Sequence, residues 1–406
     1  MKPLGPIPAG FSATDGELVL GGAKVSDWLE EAGDTPLFLY SRDMIAQRIA
    51  AIRTALPERM ELNYAVKANP WPPLLEFIEP LVDGFDIASS GEWLLLDEDG
   101  IAARRTSFAG PGKRDDELRV AIEAGITLNC ESAGEADRAL AIGDEIGRAP
   151  RMAIRVNPDF ELRGSGMKMS GGAKVFGVDA DKAAALARRV VDAGVDWQGF
   201  HIFAGSQSLD AAAISEAQRN TIELARRLAE EAGITLPKLN LGGGFGIPYF
   251  AGDDPLDLYA VGEELGKIAA PDVLPGTRLV LELGRYLVGQ AGVYLTRVVD
   301  RKMSQGETFL VVDGGLHHQL AASGNFGAVV KRNYPVAVAH RFAAEPEEVV
   351  NICGALCTPL DRLATQAHLP RAQVGDTIAI FCAGAYGATA SPMHFLGHGP
   401  AREMLI

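Results

Sequence analysis

Positive charge is in short supply in this chain. Lys and Arg number 38 against 53 Asp and Glu, a formal net charge of −15. A surface of that sign repels phosphate backbones, which argues against a nucleic-acid partner, and it offers no basic patch for an acidic membrane. Long apolar runs are also missing: none reaches the roughly 18–20 residues of a membrane helix. The opening residues Met1-Lys-Pro-Leu-Gly-Pro lack the apolar core and cleavage site of a secretory signal. Cysteine is scarce, with four in 406 residues. Cys130, Cys353, Cys357 and Cys382 form no secreted disulfide framework. Cys353 and Cys357 are close in sequence, yet no second pair completes a zinc site, so no metal is expected. These absences point to a soluble cytoplasmic enzyme without nucleic-acid or membrane partners.

What remains is ordinary globular composition, 47% hydrophobic and 22% charged, enough for one large domain and a smaller one. Strand-like runs fall at Leu62–Val66, Gly84–Ala88, Thr106–Ala109, Thr127–Cys130, Met152–Val156, Gly199–Phe203, Leu239–Leu241 and Leu279–Leu283. Between most of them lie stretches rich in Ala, Leu, Glu and Arg, clearest over Asp181–Ala193 and Asp210–Ala232. Eight strands alternating with helices predict a (β/α)8 TIM barrel over residues 37–283, with its chemistry at the C-terminal strand ends. The exits carry Lys67, Ser89-Ser90-Gly91-Glu92, Gly110 to Lys113, Glu131, Arg155 with Asn157, Gly205-Ser206-Gln207, Gly242–Gly246 and Glu282. From about Gly284 the rhythm changes. Runs at Gly292–Asp300, Thr308–Val312, Glu348–Ile352 and Thr377–Cys382 predict an antiparallel β-domain of residues 284–406. Residues 1–36 join it through a short strand at Glu17–Leu20.

Lys67 ends the first barrel run, in Tyr64-Ala-Val-Lys67-Ala-Asn69. A lysine at the exit of a buried strand is partly desolvated, which disfavours the ammonium and frees an amine for carbonyl chemistry. Gly242-Gly-Gly-Phe-Gly246 follows the seventh run, and late βα-loops of barrels often cradle a phosphate. It is not a P-loop, because no Gly-Lys-Ser/Thr follows. Arg285 can lend a cation to that phosphate, and Glu282 sits just before it. A lysine, a phosphate cradle and a carboxylate at one barrel mouth suit pyridoxal phosphate.

The segments Tyr64–Asn69, Gly242–Gly246, Glu282-Leu-Gly-Arg285, Cys357 with Asp361, and Gly384-Ala-Tyr386-Gly together resemble the barrel-type (fold type III) pyridoxal phosphate decarboxylases. That family includes the diaminopimelate, ornithine and arginine decarboxylases, and it shares barrel and β-domain with alanine racemase. The resemblance runs through nearly the whole chain in order. It implies that Lys67 carries the cofactor as a Schiff base and that Glu282 meets the pyridine nitrogen. Gly243, Gly244, Gly246, Ser206, Arg285 and Tyr386 complete the cofactor candidates with Asp86 and Phe203. Cys357 becomes the proton donor, reaching into a partner subunit of a homodimer with shared active sites. Arg285, Tyr334, Thr358 and Asp361 are the substrate candidates.

Two departures bear on the substrate. The position after the cysteine is acidic in the diaminopimelate and ornithine enzymes, where it meets the distal ammonium, but here it is Thr358. A neutral hydroxyl cannot neutralise a buried ammonium, which costs several kcal/mol when left unpaired. Many relatives also place a histidine over the cofactor ring where this chain has Phe203; His201, two positions earlier, reads as strand interior. The segments Arg163–Gly177, Gly246-Ile-Pro-Tyr249, Asp313–His318 and Ser391–His398 resemble a narrower subgroup. It contains decarboxylases of a glutamyl group tethered to an acyl carrier protein, and relatives associated with exosortase-linked clusters. The expected activity is α-decarboxylation of an amino acid with a neutral or carrier-tethered distal group, with an acyl carrier protein as a partner. The alternatives are diaminopimelate decarboxylase, an alanine-racemase-type enzyme, and a non-catalytic pyridoxal phosphate-binding protein. Glu282 argues against the racemase, and the C-terminal domain argues against the simple binder.

Overall fold

The computed structural model describes residues 1–164, 166–168, 170–326 and 331–406, the side chains of Met167 and Lys168 excepted. Ser165 and Met169 of the Arg163–Gly177 motif lie outside the described residues. The chain divides into two compact units. One comprises Ile49–Gly246 and Leu256–Gly284; the other comprises Met1–Arg48, Ile247–Pro255 and Arg285–Ile406.

The first unit is the barrel. Its strands are β1 (Met60–Ala65), β2 (Gly84–Ile87), β3 (Thr106–Phe108), β4 (Thr127–Cys130), β5 (Arg151–Asn157), β6 (Asp196–Ile202), β7 (Lys238–Asn240) and β8 (Arg278–Leu283). Neighbours pair in parallel all the way round, and β8 closes on β1. Parallel strands covered on both faces are apolar nearly throughout, which is why every predicted run coincides with one of these strands. Helices alternate with them. The longest, Ala211–Ala232, starts where Asp210 accepts the N–H groups of Ala212 at 2.9 Å and Ala213 at 3.1 Å, a cap that contributes about 1 kcal/mol. Its Ile214, Ala217, Leu224, Ala225 and Leu228 are buried.

The barrel core is not wholly apolar. Each strand contributes a buried polar side chain: Asn63, Asp86, Ser107, Asn129, Arg155, His201, Asn240 and Glu282. Several are register partners, including Glu282 with Asn63, Asp86 with Ser107, and His201 with both Arg155 and Asn240. Burying such groups without partners costs free energy, and some are paired: Asp86 with Ser107, Arg155 with Glu131, and Glu282 with Asn240.

The second unit is built on a mixed sheet. Its path runs Val336–Val338, Thr377–Phe381, Gly292–Ser304, Glu307–Val312, Glu348–Cys353 and Arg362–Leu369. The expectation of an antiparallel domain holds for most pairings. Two are parallel: Glu307–Val312 with Glu348–Cys353, and Leu37–Tyr40 with Arg402–Leu405. The strand at Glu17–Leu20 forms as expected, in a small three-stranded sheet. Two segments assigned to the barrel from sequence lie here instead. Leu37–Tyr40 pairs with Gly292–Ser304, and Leu37 and Leu39 share a core with Val293, Leu295, Ala379 and Phe381. Burying a leucine is worth about 1.5–3 kcal/mol, so this strand has a strong reason to stay. Ile247–Pro255 is held by Tyr249, whose ring packs 4.7 Å from that of Tyr334.

Candidate active site

Lys67 does not end a strand; β1 stops at Ala65 and Val66–Ala68 forms a single 3-10 turn. The turn is braced from below. Asn69 N–H donates to Val66 O at 3.1 Å, and the buried Tyr64 hydroxyl donates to Asn69 O at 2.9 Å. The lysine is thereby aimed at two carboxylates from other strands. Its Nζ lies 3.6 Å from Glu282 Oε1 and 3.9 Å from Asp86 Oδ2. Desolvation is weaker than the sequence suggested, since the lysine side chain is 42% exposed. What surrounds it is negative charge rather than an apolar wall.

The two carboxyls are nearly inaccessible, and they differ in proton affinity. Burial pushes Asp86 well above the usual carboxylate range, and the neighbouring Glu282 pushes it further. Ser107 Oγ donates to Asp86 Oδ1 at 2.8 Å. Glu282 goes the other way. Burial alone would raise it, but Lys67 and His201 outweigh burial and hold it below the usual range. The surroundings thus favour the proton on Asp86 and the charge on Glu282.

The glycine turn after β7 is folded against backbone. A Cβ on Gly243 would sit 1.9 Å from Glu282 O, and one on Gly244 would sit 2.5 Å from Gly205 O at a φ of +89°. Only glycine permits both approaches. Ser208 N–H donates to Gly244 O at 2.9 Å, and Gly246 N–H donates to Ser208 O at 2.8 Å. Ser206 lies in the two-residue strand Gly205–Ser206, and Phe203 follows β6 with its ring against Gly242. Asn240 escaped the sequence reading. Its Oδ1 accepts Gly242 N–H at 2.8 Å while its Nδ2 donates to Glu282 Oε2 at 3.4 Å. An asparagine at a strand end is usually turn chemistry, so no local signal set it apart.

Residues at other strand exits are engaged by their own neighbours. Ser89 caps the helix Ser90–Glu98 by accepting Glu92 N–H at 3.2 Å. Lys113 is buried against Glu135, Gly110 O and Asn129 O. Glu131 accepts Arg155 Nη1 at 2.8 Å and Gly177 N–H at 3.0 Å. These bonds tie down loops at the mouth.

In the second unit, Arg285 opens a short helix and donates to Tyr249 Oη at 2.8 Å. The Tyr386 ring lies 4.7 Å from its guanidinium. Burial works to lower its proton affinity, but the phenols of Tyr249 and Tyr386 overcome that and raise it. Tyr386 has a φ of +54°, an uncommon conformation for an aromatic residue and one that clusters at functional sites. Tyr334 is buried beside Tyr249.

Cys357 is exposed, whereas Cys130 and Cys382 are buried; burial pushes the Cys382 thiol up to about 12. Thr358 Oγ1 accepts Leu360 N–H at 3.3 Å. Asp361, expected to face substrate, is buried and turned inward. Its Oδ1 accepts Leu316 N–H at 2.7 Å and its Oδ2 accepts Leu356 N–H at 2.9 Å. These two bonds draw the buried carboxylate into the 354–361 loop and the Leu316 backbone. His317 and His318 also belong to the interior. Since Gly399 O can only accept, His318 Nε2 donates to it at 2.9 Å, and Nδ1 accepts the Tyr294 hydroxyl at 3.0 Å.

A barrel that presents a lysine, a split-proton carboxyl pair and a backbone-packed glycine turn is built for an aldehyde cofactor bearing a phosphate. The small-residue cradle and the charged Glu282 fit pyridoxal phosphate. A family model described as pyridoxal-dependent decarboxylase, pyridoxal binding domain, matches residues 42–289. The chain is 35% identical over 384 residues to the L-glutamyl-[BtrI acyl-carrier protein] decarboxylase of Niallia circulans, covering 92% of this chain and 89% of that protein. It is 32% identical to the diaminopimelate decarboxylase of Aquifex aeolicus (strain VF5), covering 97% and 91%. The structure of diaminopimelate decarboxylase from M. jannaschii in complex with L-lysine superposes with a TM-score of 0.88 at 26% identity, covering 98% of this chain and 93% of that one. The chain belongs to the pyridoxal-dependent decarboxylases: it is an enzyme, and pyridoxal phosphate is its cofactor. No helix among the described residues is long and apolar enough to cross a membrane.

Proposed function

We propose that this enzyme removes the α-carboxylate of an amino acid whose distal group is neutral, as in a glutamyl group tethered to an acyl carrier protein. The observation that carries this reading is the loop 354–361. Thr358 is neutral, and Asp361, the acid nearest to it in sequence, spends both oxygens on Leu316 and Leu356 N–H groups. A distal ammonium finds no counter-charge in that loop, and an unpaired buried charge costs several kcal/mol. Similarity to a glutamyl-carrier decarboxylase supports the same substrate class.

The residues divide the work. Lys67 would anchor the cofactor's aldehyde carbon, Glu282 would accept from the ring nitrogen, and Gly243, Gly244, Gly246 and Ser206 would enclose the phosphate. Burial and Glu282 favour the neutral form of Asp86. Phe203 offers a face for stacking. Within the second unit, Arg285 and Tyr386 remain the cofactor candidates and Tyr334 a substrate candidate. Bound pyridoxal phosphate supplies an electron sink for the pair left behind when carbon dioxide departs. Cys357 Sγ–H would give its proton to the substrate's α-carbon once carbon dioxide has left, the thiolate regaining one from solvent, and its exposure suits a homodimer in which it serves the partner's site.

The second reading, diaminopimelate decarboxylation, is favoured by relatives of that name at about the same identity. Carbon dioxide release from purified enzyme separates the two. The panel is free diaminopimelate, lysine, ornithine, glutamate and carrier-loaded glutamate. Preference for the carrier-loaded amino acid is expected. Turnover of free diaminopimelate at a kcat/KM of ~10⁴ M⁻¹s⁻¹ or more overturns the proposal.

A further inference from the structure

Glu282 is more than a buried acid beside a lysine. Its Oε1 faces Lys67, and its Oε2 faces two side chains from neighbouring strands, His201 on β6 and Asn240 on β7. His201 Nε2 lies 3.2 Å from Oε2, off the line of a well-aligned hydrogen bond. Asn240 Nδ2 lies 3.4 Å from the same oxygen. His201 and Asn240 are register partners across the β6–β7 pair, so one pairing delivers both groups to one oxygen. Asn240 also holds Gly242 N–H. A single amide thus ties the glycine turn to the carboxylate.

We propose that His201, as its Nε2–H tautomer, and Asn240 are positioning residues that clamp Glu282 Oε2, leaving the carboxylate oriented and charged for the cofactor's ring nitrogen. The inference rests on the reading of Glu282 as the ring-nitrogen partner. Donation from His201 requires the proton on Nε2, since a bare ring nitrogen would repel the carboxylate oxygen. Burial lowers the proton affinity of this imidazole, so the clamp is a neutral donor rather than an ion pair. Without it, Glu282 keeps its place in a buried interior but loses donors that favour its charged form. A proton then moves onto Glu282, and the carboxyl ceases to serve as a charged acceptor. Lys67 alone does not substitute, because its contact is with the other oxygen and its nitrogen would be bonded to the cofactor in the loaded enzyme.

The test compares His201→Leu, His201→Gln, Asn240→Ala and Glu282→Gln. The readouts are the cofactor dissociation constant, measured by fluorescence titration of apoenzyme, and the visible spectrum of the bound cofactor. Melting temperatures of the apo forms monitor folding. Donors to a charged group are worth about 10–100-fold in an equilibrium constant. His201→Leu and Asn240→Ala should weaken cofactor binding by about that factor and move the spectrum toward that of Glu282→Gln. His201→Gln, whose amide reaches the Nε2 position, should restore both. If His201→Leu does not fold, His201→Met takes its place with the same expectations. An unchanged dissociation constant and spectrum in folded His201→Leu and Asn240→Ala, with Glu282→Gln perturbed, overturns the clamp alone. An unperturbed Glu282→Gln overturns the reading of Glu282 beneath it.

Discussion

Replacing Gly243 by alanine is the sharpest probe of the glycine turn. The new Cβ would lie 1.9 Å from Glu282 O and 3.1 Å from Glu282 C, where ordinary contact begins at 3.4 Å. Neither atom can swing aside, because both belong to the backbone of β8. The turn must therefore retreat by about 1.5 Å, the shortfall between those distances. Misplacing a positioning group by about 1 Å can cost on the order of 10²-fold in rate. Gly243→Ala should thus fold but lose activity by about that factor and bind pyridoxal phosphate more weakly, by fluorescence titration of apoenzyme. Gly134→Ala is the control. It lies in the helix Ala133–Ile146, nothing falls within 4 Å of its Cβ, and alanine there should stabilise by about 0.8–1 kcal/mol. Wild-type cofactor affinity in Gly243→Ala would refute the claim that close backbone approach shapes this site.

Borohydride treatment of the yellow holoenzyme should fix the cofactor on Lys67, read by peptide mass; a label on Lys168 or Lys174 would move the site. Cys357→Ala should keep cofactor absorbance while product forms ~10²–10⁴-fold more slowly. Mixed dimers of Cys357→Ala and Lys67→Ala chains should regain activity, and failure to do so in verified hybrids counts against a shared site. Thr358→Glu should improve binding of diamino acids, measured as a fall in KM for diaminopimelate or lysine; no change would mean that this position does not meet the distal group. His317 is fully buried, and burial followed by His318 lowers it from 6.5 to about 4. The unfolded chain therefore binds this proton first as pH falls, and stability is lost between about pH 6.5 and 4, by up to about 3 kcal/mol. His317→Met should flatten that loss in denaturant melts across this range; parallel pH profiles would show that His317 is already solvated.

The barrel was legible because parallel strands hide both faces and so appear as short apolar runs closed by glycine or polar residues. Lys67, Glu282 and the glycine turn stood out because each sits at such a closing position. Leu37–Tyr40 is not among the eight strand runs, yet the barrel bounds of 37–283 enclose it; its four residues are buried, and its pairing with Gly292–Ser304 places it in the other sheet. Asp361 is a substrate candidate only through the family resemblance, and its partners Leu316 and Leu356 are fixed by a fold that local sequence does not reveal. The meeting of His201, Asn240 and Glu282 depends on strand register across three separate segments. Periodicity announces a strand but not which residue of the next strand will face it.

The polar side chains in the barrel bear on how such an enzyme changes. Asp86 needs Ser107, Glu282 needs Asn240, and Glu131 needs Arg155, so substitutions within these pairs are strongly epistatic. Libraries that vary one of these positions at a time should be dominated by losses, whereas paired libraries can reach new solutions. The loop around Cys357 and Thr358 is exposed or half-buried at those positions and carries few such debts. Diversification of substrate among enzymes of this design is accordingly easiest there, while the interior drifts only by coordinated steps.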